Sequence, residues 1–155
     1  MSRTERRYRS LETILVLRKL AERRSQSALL LAEQRVAEAR RQQDAERERL
    51  DETVEDWARF TAGSAFTPEL ALVWGRAVNG QVERLNAAGT ALSEEQDAFT
   101  RRQGEHHLAN AQRECAQVLW RKARLRFDAW REERALAELV DAGTRRRLSG
   151  SGARG

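Results

Sequence analysis

Apolar side chains recur every seven residues along most of this sequence, and that repeat restricts the fold more than any other property. Stepping by seven from Tyr8 gives Tyr8, Leu15, Glu22, Leu29, Val36, Gln43, Leu50 and Trp57, six of the eight apolar or aromatic. The companion positions three residues on are Leu11, Arg18, Ser25, Ala32, Ala39, Glu46, Thr53 and Phe60, which are smaller and half polar. A repeat kept this long predicts a helix whose stripe meets a partner helix in a left-handed supercoil. A second series runs Ala71, Val78, Leu85, Leu92, Phe99, His106, Arg113, Trp120 and Phe127. Its companions are Trp74, Gln81, Ala88, Glu95, Arg102, Ala109, Ala116, Ala123, Trp130 and Ala137.

Between the two series lies Thr61-Ala62-Gly63-Ser64-Ala65-Phe66-Thr67-Pro68, which holds the only proline. Proline suits the first helical position, where its missing N–H has no intrahelical partner, and Thr67 is then the N-cap. The layout predicts an all-α, elongated antiparallel two-helix coiled coil. Its single unit is expected over 1–148, with helices at 4–60 and 68–147, a turn at 61–67 and a flexible tail at 149–155. At 1.5 Å per residue the first helix spans roughly 85 Å, and about 25 residues of the longer second helix project past the N-terminus. Gly75, Asn79-Gly80 and Gly89 leave open a second helix broken near residues 75–90, since Asn-Gly favours a turn and interior glycine costs ~1 kcal/mol.

Composition supports helices and excludes other classes. Of the 155 residues, 34% are charged, 40% hydrophobic and 6% aromatic, too few large apolar side chains to fill a compact core. Strand formers and turn clusters are too scarce for an all-β fold, while the abundant Ala, Leu, Arg, Glu and Gln favour helix over disorder. The lone Cys115 offers no intramolecular disulfide. Ile14–Leu17, the most apolar run, is far too short to span a bilayer. The expectation is a soluble protein of a reducing, cytoplasmic compartment.

The net charge of +5 is unevenly spread. Residues 1–24 carry eight basic and three acidic side chains, and residues 101–155 thirteen and seven. The middle is acidic, with six and nine over 25–67 and two and five over 68–100. Folding in half gives a basic base and an acidic tip, a polarity that bears on partner choice. The polar seam positions Glu22, Gln43, Arg18, Glu95, Arg102, His106 and Arg113 read chiefly as register-fixing. A loosened, flexible stalk is the other reading. Val16, Leu17, Leu30 and Leu31 lie off the seam, so the first helix carries apolar surface that implies a partner protein or self-association, the alternative being local cover from the overhanging end of the second helix.

No catalytic constellation is present, and a non-enzymatic protein without cofactor or metal is expected. His106 and His107 are adjacent, hence on different sides of a helix, and lack ligands at metal spacing. Gly75 and Gly80 are not followed by the Lys-Ser or Lys-Thr of a phosphate loop. Carboxylates alternate with arginines in the manner of solvated pairs. The sequence pI near 10.5 and Arg145–Arg147 allow phosphate contacts, but acidic residues are interleaved and no reading motif occurs.

Two stretches carry a resemblance. Leu11-Glu12-Thr13, Leu17, Leu20-Ala21-Glu22 and Ala28-Leu29-Leu30, with Trp120-Arg121-Lys122, Leu125 and Ala129-Trp130, resemble the FliJ/YscO family of coiled-coil proteins from flagellar and virulence type III secretion. The Arg-rich composition and short tail are similar to a Hrp-type relative. The resemblance implies a central stalk that activates the hexameric secretion ATPase at the cytoplasmic face of the apparatus. It also implies a link to the export gate and binding of export chaperones. On that reading Arg3, Arg6, Arg7, Arg9, Val16, Leu17, Arg18, Lys19, Arg121, Lys122, Arg124 and Arg126 meet the ATPase. Trp57, Phe60, Phe66 and Trp74 at the tip either pack together or anchor the export-gate protein. The seam tryptophans Trp120 and Trp130 read as core. Two rival classes stand beside it: a self-assembling coiled-coil scaffold, and an Arg-rich binder of nucleic acid or membrane surfaces.

Overall fold

The structure, a computed structural model, describes residues 1–63 and 67–151. Two helices, α1 (Arg3–Gly63) and α2 (Pro68–Ser151), pack against each other as an all-α hairpin, and no strand occurs among the described residues. Each helix has a chemical start signal. Ser2 Oγ accepts from the Glu5 amide at 3.1 Å, and the Ser-x-x-Glu spacing is that of a capping box. Thr67 Oγ1 accepts from the Leu70 amide at 3.4 Å, with Pro68 as the first residue of α2, as the missing proline N–H requires.

The helix limits differ from those expected. α1 continues through Thr61, Ala62 and Gly63 rather than ending at residue 60. The Thr61 hydroxyl donates to the carbonyls of Trp57 (3.1 Å) and Ala58 (3.0 Å), so it is satisfied inside the helix instead of shaping a turn. Ser64, Ala65 and Phe66 lie outside the described residues. At the other end α2 reaches Ser151, which makes residues 149–151 of the expected tail helical; residues 152–155 are not described.

α2 is also unbroken over residues 75–90. An Asn-Gly turn of the hairpin type needs positive φ, and no described glycine has it. The helical alternative wins because the same stretch supplies the seam. Ala71, Trp74, Val78, Gln81, Leu85 and Ala88 are all partly buried, and that burial offsets the ~1 kcal/mol cost of each glycine.

Contacts divide the chain into two units where one was expected: Met1–Arg23 with Leu108–Gly155, and Arg24–His107. In the first unit the antiparallel register is set by Tyr8 against Phe127 (centroids 4.8 Å, stacked) and Trp120 (6.5 Å). Further along α1, Arg18 donates to Gln112 at 2.8 Å and Glu22 pairs with Arg113 at 2.7 Å. Leu15, Ala116 and Ala123 are buried. In the second unit Ser25 is 3.0 Å from His106 Nδ1, and Phe60 meets Trp74 at 6.2 Å. Ala32 and Leu92 are buried there.

Every seam position of the two seven-residue series is at least partly buried except Arg18, Trp57, Arg102 and Ala137. Most of the polar members remain in the seam: Glu22 and Ser25 pair there with Arg113 and His106, while Glu46 Oε2 and Gln81 Oε1 are buried without a hydrogen-bond partner. Beyond Trp130 every residue through Gly150 is exposed. The register accounts for this, because Phe127 already faces Tyr8 near the start of α1.

Candidate functional site

The first unit carries 18 basic and nine acidic side chains, a net +9, and the second 11 and 15, a net −4. Within the first unit the basic side chains divide by what they touch. Arg9 pairs with Glu5 at 2.8 Å, Arg18 bonds Gln112, and Arg113 bonds Glu22, Asn110 and Gln117. Three more lie over aromatic rings one helical turn back: Arg124 over Trp120 (5.4 Å), Arg131 over Phe127 (5.9 Å) and Arg134 over Trp130 (5.6 Å). Spacing by four residues creates this ladder, because side chains at i and i+4 are neighbours on a helix, and each contact stabilises by roughly 0.5–1 kcal/mol.

Among the basic side chains without such a contact, four converge. Arg3 and Arg7, one turn apart on α1, and Lys122 and Arg126, one turn apart on α2, line an open-sided groove of about 300 Å³. Thr4, Leu119 and Ala123 complete its walls, and no acidic side chain lines it. Among the described residues none of these four cations is in an ion pair. An apolar floor with an unneutralised basic rim suits a carboxylate-bearing partner segment, whose charge it would attract and whose apolar side chains it could cover.

The sequence-assigned basic set therefore splits three ways. Arg3, Arg7, Lys122 and Arg126 form the groove; Arg9, Arg18 and Arg124 are engaged within the chain; Arg6, Lys19 and Arg121 are exposed outside it. Val16 and Leu17 are 60% and 58% exposed, off the seam as their spacing required.

The aromatic set in the second unit divides as well. Phe60 and Trp74 pack on each other across the two helices, which is the packing role. Trp57 is 37% exposed, and Phe66 lies outside the described residues. Sequence reasoning missed Leu72 and Val73, both well exposed. The signal was present: Leu70-Ala71-Leu72-Val73-Trp74 is five apolar residues in succession, and a helix that buries one stripe must expose part of any such run.

No group of three or more His, Cys, Asp or Glu among the described residues is placed to hold a metal ion. No described helix is long and apolar enough to cross a membrane. No family model matches the chain, and no curated protein or solved structure compared with it matches either.

Proposed function

We propose that this protein is a non-enzymatic stalk and activator of a type III secretion ATPase, and that the groove of Arg3, Arg7, Lys122 and Arg126 is where it engages an acidic segment of that enzyme. The observation that carries the reading is the sorting of charge. Arg9, Arg18, Arg113 and Arg124 are engaged by carboxylates, amides or rings of the chain itself, while these four face one groove without a neutralising group. Charges held this way add attraction and on-rate for a complementary surface. The resemblance of the two sequence stretches to the FliJ/YscO family supplies the identity of the partner. Trp57, Leu72 and Val73, exposed in the second unit, supply apolar and aromatic surface of the kind that anchors a second partner. In this reading that partner is the export-gate protein, export chaperones bind the same stalk, and the work is done at the cytoplasmic face of the apparatus.

The test is ATP turnover by the cognate secretion ATPase with and without the protein, alongside co-elution of the two. Stimulation and co-elution are expected. Reversing Arg3, Arg7, Lys122 and Arg126 together to Glu should weaken the complex about tenfold or more at low salt and less at high salt. Unchanged turnover and separate elution would remove the proposal.

A further inference from the structure

The part of α2 beyond the seam has an apolar face of its own. Leu136, Leu139 and Val140 are 62%, 68% and 66% exposed, and Leu125, 72% exposed, continues the same face back alongside the seam. At 100° per residue, Leu125 falls on the side of the helix opposite Ala123 and Phe127, which belong to the intramolecular seam. α1 therefore cannot cover this face, since it packs on the other one. Exposed apolar side chains in line mark an interaction surface, and the charges around them indicate which.

The segment is polar in charge along its length. Residues 131–141 hold two basic and four acidic side chains, and residues 142–151 hold three arginines and no acid. Glu132 and Glu133 stand at the N-terminal end of the Leu136–Gly143 stretch of this face, and Arg146 and Arg147 at its C-terminal end. Among the described residues none of these four is in an ion pair. Arg134, Glu138, Asp141 and Arg145 fall on the far side of the helix, where Arg134 and Glu138 already pair at 3.2 Å. Gly143 lies on the apolar face, and a Cβ there would meet nothing within 4 Å, so a second helix can come close at that point.

We infer that this face binds the same face of a second copy of the chain, antiparallel, forming a two-fold dimer through residues 132–147 of α2. Antiparallel pairing centred on this span sets Leu139 of one copy against Val140 of the other, and Leu136 against Gly143. It also sets Glu132 and Glu133 of each beside Arg146 and Arg147 of its mate. A two-fold interface must be self-complementary, and a helix acidic at one end and basic at the other satisfies this only when antiparallel. Parallel pairing would place like charges side by side, which is destabilising. The inference does not depend on the ATPase reading.

Sedimentation of the full chain alone tests it. The unaltered protein should show a monomer–dimer equilibrium that shifts with concentration. The pair E132R and E133R in one chain, and the pair R146E and R147E in another, should each weaken dimerisation tenfold or more, with helix content by circular dichroism unchanged. An equimolar mixture of the two variants should recover the dimer, because each acidic end then meets a basic end again. Leu139→Ser should weaken it without recovery in any mixture. A monomer at all concentrations, dimers indifferent to both reversals, or a mixture that stays monomeric would each overturn the inference.

Discussion

Arg113 reaches across the hairpin to Glu22, Nε to Oε2 at 2.7 Å, while its other nitrogens donate to Asn110 (2.9 Å) and Gln117 (3.1 Å). Both charged side chains are about a quarter exposed, at 26% and 24%, so the pair is neither solvated nor fully desolvated. A double-mutant cycle with Arg113→Ala and Glu22→Ala should give a coupling of about 1 kcal/mol, above the value for an exposed pair. Arg113→Ala alone should cost about 1–2 kcal/mol, because it also strands Asn110 and Gln117. Urea denaturation of the four proteins checks both figures.

Leu15 and Leu17 are two residues apart and should respond differently. Leu15 is buried in the seam, and Leu15→Ala should lose about 2–3 kcal/mol through lost transfer energy and a residual gap. Leu17 is exposed, and Leu17→Ala should stay within about 0.5 kcal/mol. Equal losses in chemical denaturation would mean that something other than α1–α2 packing covers Leu17 in solution.

The glycines of α2 offer gains. A Cβ at Gly75 or Gly80 would meet nothing within 4 Å, and one at Gly89 would meet only the Gln43 side-chain nitrogen at 3.4 Å. Alanine at Gly75 or Gly80 should therefore add about 0.5–1 kcal/mol each, chiefly by restricting the unfolded chain. A melting temperature higher by about 2–4 °C per substitution is expected; a fall would show that the helix bends at that glycine.

Trp57 and Trp74 separate packing from display. Trp74 packs on Phe60 across the hairpin, so Trp74→Ala should cost about 2 kcal/mol or more. Trp57 is more exposed, and Trp57→Ala should cost under about 1 kcal/mol. Guanidinium unfolding of the two variants compares them directly, and a reversed order would exchange their roles.

The seam was legible because a repeat of seven is a property of the sequence alone, and Leu15, Ala32, Leu92, Ala116 and Ala123 are buried where it put them. The proline and its Thr67 cap were legible for the same local reason. Local signals failed where packing overruled them. Asn79-Gly80 is a turn in isolation and helix here, since Val78 and Gln81 on either side are held in the seam. The capping box at Ser2 and Glu5 could have been read and would have set the start of α1 correctly. The groove could not, because assembling it requires knowing which residue of α2 stands beside Arg3 and which other arginines are already engaged. That depends on register, and register is fixed by pairs such as Tyr8 with Phe127.

The alanines of the seam set the thermal behaviour of the chain. Three of the five buried side chains among the described residues are methyl groups, so little apolar surface per residue leaves water on folding. The heat-capacity change of unfolding follows that surface. It should lie well below the ~12–15 cal/mol/K per residue of ordinary globular domains, which flattens the dependence of stability on temperature. Calorimetry would then record a broad melt, and cooling toward freezing would weaken this hairpin less than it weakens a protein with a thick core.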